Sequence, residues 1–285
     1  MVKRTGDKPV ISVIVAVYNG TGTFQRCLDS IANQTYQNIE LIVIDGNSTD
    51  GTIDVIKANE EHVSYWESSA DSGIYDAWNK ALKHVKGEWV CFLGADDYFW
   101  SDDVLEEISV QLVNVYPDCR VLYGQVALVN EKNEVLYYAG ESWEKVKKKF
   151  QSLMTLPHQG VMHHRSLFDD YGVFDDSFKI AGDYDFLLRE LKEGNAMFMP
   201  DTIVAGMQQG GVSSRPGQGL ALLEEIRKSH RKFSNTGESF DWWLAYIKVR
   251  IRMLLWKILG RAWPRYLLDI FRVCTGKPRH WTRTK

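Results

Sequence analysis

Apolar and polar positions along the first hundred residues switch repeatedly between two periods. Val10 to Val17 is a near-continuous run rich in Val and Ile, which reads as a buried parallel strand. Asn19-Gly20 signals a turn, and Phe24, Leu28 and Ile31 follow at helical spacing. Ile39 to Ile44 is a second buried strand that ends at Asp45-Gly46-Asn47-Ser48. Thr49 or Asp50 then suits the cap of a short helix running to about Asn59. Val63 to Trp66 reads as a third, shorter strand. Ile74, Ala77, Trp78, Ala81, Leu82 and Val85 form a helical stripe, and Val90 to Leu93 is a fourth strand ending at Gly94-Ala95-Asp96-Asp97.

This β-α-β-α-β-α-β order with short connections predicts an open, mostly parallel sheet with helices on both faces. Ligands of such sheets bind beyond the carboxyl ends of the strands. Three of the four strand ends carry polar, turn-forming residues: Asn19, Asp45 with Ser48, and Asp96 with Asp97. After Trp100 the pattern loosens. Val104, Ile108 and Leu112 mark a helix, Val121 to Val129 and Val135 to Tyr138 read as strands around a turn at Glu131-Lys132-Asn133, and Val161 to His163 reads as another strand. Asp183 to Glu193 is a helix with Phe186, Leu187 and Leu191 on one side.

Composition changes this picture in two places. The four cysteines, Cys27, Cys91, Cys119 and Cys274, show neither metal-ligand spacing nor a disulfide pattern, which fits a reducing compartment. The first nine residues lack the apolar stretch of a signal peptide, and no run of 18 apolar residues suggests a spanning helix. The net charge of −3 hides an asymmetry. From Trp242 to Lys285 there are eleven Lys and Arg and one acid, Asp269, so this segment carries +10 and the preceding body −13. Such a tail seeks an anionic surface.

Asp96-Asp97, just past a buried strand, is the first candidate for chemistry. Adjacent carboxylates repel unless a cation or hydrogen-bond donors sit between them. Magnesium or manganese held by few carboxylates and a diphosphate is the usual arrangement of this kind, and a turn that caps the next helix is the plain alternative.

The order of motifs resembles family 2 glycosyltransferases over roughly the first 215 residues. Ile11 to Asn19 is similar to that family's first strand and loop, and Leu41 to Thr52 to its second. Asp71-Ser72-Gly73-Ile74-Tyr75-Asp76-Ala77-Trp78-Asn79-Lys80-Ala81 matches a signature frequent in its polysaccharide-assembly members. Gly94-Ala95-Asp96-Asp97 stands where its metal-binding Asp-x-Asp variant belongs. The resemblance implies an α/β fold of the GT-A type, with a catalytic domain over 1–218 (nucleotide-binding half 1–100, acceptor-side half 101–218) and a helical, basic extension over 219–285. It implies that Ala16, Tyr18 and Asn19 line the nucleotide pocket and that Asp45 and Asp71 bond the base or ribose. Asn79 and Lys80 are expected near the nucleotide and its phosphates, Asp97 as the main ligand of Mn2+ or Mg2+, and Asp96 towards ribose or donor sugar. Gly46 departs from the family pattern, which usually has a second Asp there.

The same resemblance makes Asp183, in Ala181-Gly182-Asp183-Tyr184-Asp185, the general base of an inverting transfer, which takes the proton of an attacking hydroxyl. Asp185 is then structural or acceptor-positioning; His158 and Gln159, in Pro157-His158-Gln159, are expected on the acceptor side, with a satisfied structural role for His158 as the equal alternative. His163 and His164 read as structural. Gln208-Gln209-Gly210-Gly211 lacks the His many relatives carry, while Ser213 and Arg215 are suited to close over the diphosphate.

The tail interleaves Trp242, Trp243, Tyr246, Trp256, Trp263, Tyr266 and Trp281 with Lys248, Arg250, Arg252, Lys257, Arg261, Arg265 and Arg272, a pattern that suits a bilayer interface. Lys248 and Arg252 share one side of a helical projection and Arg250, Lys257 and Arg261 lie roughly opposite, so the tail does not form one clean amphipathic face. Packing on the body and a homo-oligomer contact are the alternatives. No nucleic-acid module is present, and nucleic acid is not an expected partner.

The resemblance and the tail together lead to the expectation of a transferase that uses a UDP-sugar, the commonest donor in the family, with GDP- and dTDP-sugars as open alternatives, and that acts on a lipid-linked saccharide for surface polysaccharide, cytoplasmic and peripheral on the inner face of the cell membrane. A nucleotidyltransferase would open with a Gly-rich basic loop, and residues 17–24 carry no Lys or Arg. A non-catalytic relative would lack Asp97 or Asp183, and both are present.

Overall fold

The computed structural model describes residues 8–210, 217–233, 237–260, 262–274, 279 and 282. The sheet is built from β1 (Ile11–Val17), β2 (Ile39–Asp45), β3 (Tyr65–Ser68), β4 (Trp89–Gly94), β5 (Tyr98–Phe99), β6 (Val121–Val129), β7 (Val135–Ala139), β8 (Val161–His164) and β9 (Met197–Gln208). The helices are α1 (Phe24–Ala32), α2 (Thr52–Ala58), α3 (Ile74–Leu82), α4 (Val104–Val115), α5 (Trp143–Phe150), α6 (Ser166–Tyr171), α7 (Gly182–Leu191), α8 (Gln218–Phe233), α9 (Phe240–Leu259) and α10 (Ala262–Cys274).

The strands form one nine-stranded sheet in the order β3-β2-β1-β4-β8-β6-β9-β5, with β7 on β6. The half made of β1 to β4 is parallel, as the unbroken Val/Ile runs predict: β1 is buried at all but Ala16 because helices cover both its faces. Beyond β4 the sheet is mixed. β8 runs antiparallel to β4 and β6, while β6 and β9 are parallel.

Two apolar clusters lie on the two faces of the sheet. One gathers Ile14, Ile42 and Phe92 with Tyr75, Trp78 and the α7 residues Phe186 and Leu187. The other gathers Val13, Val15 and Val43 with Phe24, Leu28 and Ile108. Leu223 and Ile226 of α8 and Trp242 of α9 belong to the first cluster, so these two helices share the core that covers one face of the sheet.

The strand expected at Val63–Trp66 falls two residues later, after a short 3-10 turn at Glu60–His62. β5, α5, α6 and β9 are additions to the elements read from the sequence. β9 contains Pro200 and Asp201, which argue against a strand; the chain accommodates them by shifting register against β6 between Tyr123 and Val126.

Candidate active site

Strand register brings the acids to one edge. Val17 pairs with Asp45, Asp45 with Ser68, and Ala16 with Gly94, so the carboxyl ends of β1, β2, β3 and β4 finish side by side. β8 is antiparallel to β4, so the segment entering it, Pro157-His158-Gln159, arrives at the same edge.

Asp45 is fully buried. Its Oδ2 accepts from the Ser48 N–H at 3.0 Å and from Ser68 Oγ at 2.6 Å, while Oδ1 has no donor among the described residues. A buried carboxylate oxygen without a donor is costly, and a ligand hydroxyl or N–H would satisfy it. Asn19 and Asn47 both adopt positive φ, 49° and 65°, which asparagine tolerates. Asn19 accepts from the Thr49 N–H at 2.9 Å and donates its own N–H to Ser48 at 2.7 Å, which locks the first and second loops together. Tyr18 stands out at 68% exposure beside half-buried Ala16.

Asp71 approaches from the loop after β3, where its Oδ1 accepts from the Gly73 N–H at 2.9 Å. A Cβ on Gly46 would lie 2.7 Å from Asp71 Oδ2 and 3.3 Å from the Tyr18 ring. A larger residue at Gly46 would have to move the Asp71 carboxylate, and the exposed Tyr18 ring would give by a few tenths of an ångström. Lys80 donates to Ser69 Oγ at 3.0 Å and to the Ala70 carbonyl at 2.8 Å, next to Asp71. Asn79 was expected at the nucleotide. Instead its amide donates to the Phe174 carbonyl at 2.8 Å and accepts from the Phe174 N–H at 3.0 Å, so it ties α3 to the loop before α7.

Asp97 is buried at the end of β4, and half-buried Asp96 precedes it. Asp97 Oδ1 accepts from the Gln208 N–H at 2.9 Å, and the Gln159 side chain also hydrogen-bonds the carboxylate. Burial first, and the Asp96 charge second, hold the Asp97 carboxyl well above the usual carboxylate range. A Cβ on Gly94 would sit 2.5 Å from Asp97 Oδ2 and 3.0 Å from Asp96 Oδ1, so the two carboxylates converge over a space that only glycine leaves open. Among the described residues no group of three or more His, Cys, Asp or Glu forms a complete metal cage. Two carboxylates that converge on open space are a donor set suited to a cation held by one or two carboxylates and completed by diphosphate oxygens and water.

Sequence reasoning missed Arg26. Its guanidinium donates to the Asp96 carbonyl at 2.7 Å and to Gln208 Oε1 at 3.2 Å and lies 4.4 Å from the Tyr98 ring centroid. Gln208 is thus a bracket between Arg26 and Asp97. Arg215 and Ser213 lie outside the described residues.

Asp183 is the second residue of α7. Its Oδ1 accepts from the Tyr75 hydroxyl at 3.2 Å and from the Tyr184 N–H at 2.9 Å. Burial pushes its carboxyl up to about 6, against the lowering effect of these donors. Gly182 makes the Tyr75 contact feasible, because a Cβ there would lie 2.8 Å from the Tyr75 ring. The loop that delivers Asp183 is held from α8: the Glu225 carboxylate accepts from the N–H groups of Lys179, Ile180 and Ala181, each at 2.8 Å. Lys179 in turn donates to the Ser72 carbonyl at 2.7 Å, beside Asp71. Neither Tyr75 nor Glu225 was singled out from sequence, since only tertiary contacts reveal them.

Side-chain contacts link the two acids across the site. Gln159 bonds Asp97; its neighbour His158 stacks on Trp78 at 5.2 Å; Trp78 meets Tyr75 at 5.4 Å; and Tyr75 bonds Asp183. His158 is buried between Trp78 and Phe92, and burial lowers its ring to about 3, so it is a neutral part of the aromatic core. His163 is buried in the same cluster. Asp185 is fully buried, paired with Arg189 and Lys232 at 2.9 Å each, which makes it a structural anchor between α7 and α8.

The carboxyl ends of the parallel half of the sheet thus carry Asp45 and lead into the Asp96–Asp97 pair, and a chain of contacts joins that pair to Asp183. The profile of glycosyl transferase family 2 matches residues 12–169, and the chain belongs to that family. It is 28% identical to the PGL/p-HBAD biosynthesis glycosyltransferase of Mycobacterium tuberculosis over 184 residues, 64% of this chain and 69% of that protein. The fold is similar to that of Staphylococcus aureus TarS residues 1–349 in complex with UDP-GlcNAc (TM-score 0.62, 18% identity, 81% of this chain and 69% of that one). It is also similar to the mannosyltransferase PcManGT of Pyrobaculum calidifontis in complex with GDP-Man and Mn2+ (TM-score 0.56, 19% identity, 92% and 76%). The chain is a GT-A-fold glycosyltransferase that moves a sugar from a nucleotide-sugar donor.

Proposed function

We propose that the transfer is inverting, depends on a divalent cation, and delivers the sugar of a UDP-sugar to a hydroxyl of a lipid-linked saccharide at an anionic membrane surface. The observation that carries this reading is Asp183: a half-buried carboxyl raised to about 6 and bonded by Tyr75. A base with a proton affinity near the working pH suits proton removal from an attacking hydroxyl.

In this reading Asp45 Oδ1 and Asp71 accept from the nucleoside, and Tyr18 and Ala16 flank the base. Asp97 and Asp96 hold a Mn2+ or Mg2+ ion, which would stabilise the charge of the leaving diphosphate. Gln208 and Arg26 keep the Asp96–Asp97 turn in place, so the carboxylates are organised before a ligand arrives. Asp183 takes the acceptor proton, and attack opposite the diphosphate inverts the anomeric centre.

UDP is favoured by the TarS complex, whereas PcManGT binds GDP-Man, so the base is the first thing to test. A thermal-shift panel of UDP, GDP and dTDP, each with and without Mn2+, separates them because a bound ligand raises stability by mass action. The expected result is the largest shift with UDP plus Mn2+. A larger shift with GDP would move the donor to that class, and no shift with any diphosphate would remove the nucleotide site. No helix among the described residues is long and apolar enough to cross a membrane, so the membrane part of the reading relies on surface attachment through the C-terminal helices.

A further inference from the structure

α9 has three faces. Ser239 caps it by accepting from the Trp242 N–H at 3.2 Å. The inner face is buried on the body: Trp242 is 1% exposed and donates from Nε1 to the Leu223 carbonyl at 2.9 Å, and Ala245, Tyr246 and Val249 pack beside it. On the opposite side Phe240, Trp243, Ile247, Ile251, Leu254 and Ile258 are all exposed, from 48% to 80%. Their spacing of three or four residues makes one continuous stripe about 27 Å long. Isolated exposed apolar residues are ordinary, but an apolar stripe of this length marks an interaction surface.

The charges sit at the edges of that stripe. On a helical projection Lys248 lies about 95° to one side of the stripe's centre, and Arg250 and Lys257 lie about 65° to 85° to the other; all three are exposed. The only acid in α9 is Asp241, in the first turn. This explains why the cations look scattered in sequence: they flank an apolar face while a separate apolar face binds the body.

We infer that this stripe is the membrane-docking surface, with α9 lying in the plane of an anionic bilayer. The stripe enters the acyl boundary, and Lys248, Arg250 and Lys257 meet lipid phosphates on either side. Basic residues bordering an apolar face are what an in-plane helix on anionic lipid requires. A second copy of the chain fits less well, because pairing two such stripes sets cations against cations. Tyr266, Ile270 and Val273 of α10 are exposed at helical spacing as a shorter second stripe. The inference rests on the membrane reading above and adds which face inserts.

The test uses the full chain and vesicles of phosphatidylcholine with or without phosphatidylglycerol. Wild type is expected to pellet with the phosphatidylglycerol vesicles and to be released by high salt. The Ile247→Glu/Leu254→Glu variant changes exposed positions only, so its thermal midpoint and donor hydrolysis in solution are expected to stay the same while vesicle partitioning falls roughly tenfold or more. Lys248→Glu/Arg250→Glu/Lys257→Glu is expected to lose the preference for anionic lipid. If wild type binds vesicles and the Ile247/Leu254 variant binds equally well, the assigned face is wrong although the membrane reading stands. If wild type does not bind, the membrane reading itself fails. A solution dimer that dissolves in the Ile247/Leu254 variant, without vesicle binding, would overturn the inference in favour of a contact between copies.

Discussion

The Tyr75 hydroxyl, in the first turn of α3, donates to Asp183 Oδ1, in the first turn of α7, at 3.2 Å across 108 residues of chain. The bond joins the helix that follows the Asp71 loop to the helix that carries the proposed base. Burial and the nearby Asp183 charge hold the Tyr75 phenol well above its ordinary value, so it stays a donor throughout the working range. Tyr75→Phe keeps the ring against Gly182 and removes only the donor. The carboxylate form of Asp183 then loses a charge-assisted bond, and the acid limb of kcat/KM is expected to move up by roughly one pH unit. A pH profile measured on both proteins checks this.

The wild-type profile follows from Asp183 itself. Its carboxyl is raised from the ordinary value to about 6, so the base form dominates above that pH. kcat/KM is expected to be level above about pH 7 and to fall about tenfold per pH unit below 6. The stability effect has the opposite sense. A folded-state value above the unfolded one stabilises the fold below about pH 4, and that contribution is lost as pH rises through 6. Asp183→Asn is therefore expected to be more stable than wild type at pH 8, by on the order of 2 kcal/mol, with the gap closing at pH 4. Denaturant unfolding at the two pH values reads it.

Glu225 anchors the loop in front of Asp183 through three consecutive backbone N–H groups. Glu225→Ala leaves those donors without their acceptor and is expected to cost about 1–3 kcal/mol of stability. Because the loop positions the base, kcat is expected to fall more than KM changes, and Glu225→Asp is expected to recover part of the loss. Unfolding curves and steady-state kinetics with a UDP-sugar measure the two effects.

Gly94 leaves the space into which Asp96 and Asp97 both turn. In Gly94→Ala the new Cβ would meet Asp97 Oδ2 at 2.5 Å and must push the pair apart. Turnover is expected to drop by roughly 100-fold, and the thermal shift given by Mn2+ with UDP is expected to vanish. The shift given by UDP alone is expected to survive, since Asp45 and Asp71 are untouched.

The parallel half of the sheet was legible because its strands are buried on both faces and so appear as unbroken Val/Ile runs. Their shared direction then forces Asn19, Asp45 and Asp97 to one edge, which is why strand-end acids could be read as a site. β9 was hidden by Pro200 and Asp201, which the sheet absorbs with a register shift. Arg26, Tyr75 and Glu225 were invisible for a different reason. Each acts through partners far away in sequence, often backbone atoms that carry no residue-type signal. Asn79 shows the converse: it lies within a family signature, yet its amide is committed to Phe174. In α9 a periodicity argument assumes two faces, and the helix has a third, buried on α8 by Trp242.

In the proposed mechanism Asp97 and Asp183 serve a single displacement in two different roles, stabilising the departing diphosphate and removing the acceptor proton. The most direct measurement is release of UDP from a UDP-sugar with Mn2+ by wild type, Asp97→Ala and Asp183→Asn, with UDP binding followed by thermal shift in the same samples. Both variants are expected to lose at least roughly 100-fold in turnover. Asp183→Asn is expected to keep the UDP plus Mn2+ shift, and Asp97→Ala to lose its Mn2+-dependent part. Turnover by Asp183→Asn equal to wild type would contradict the account.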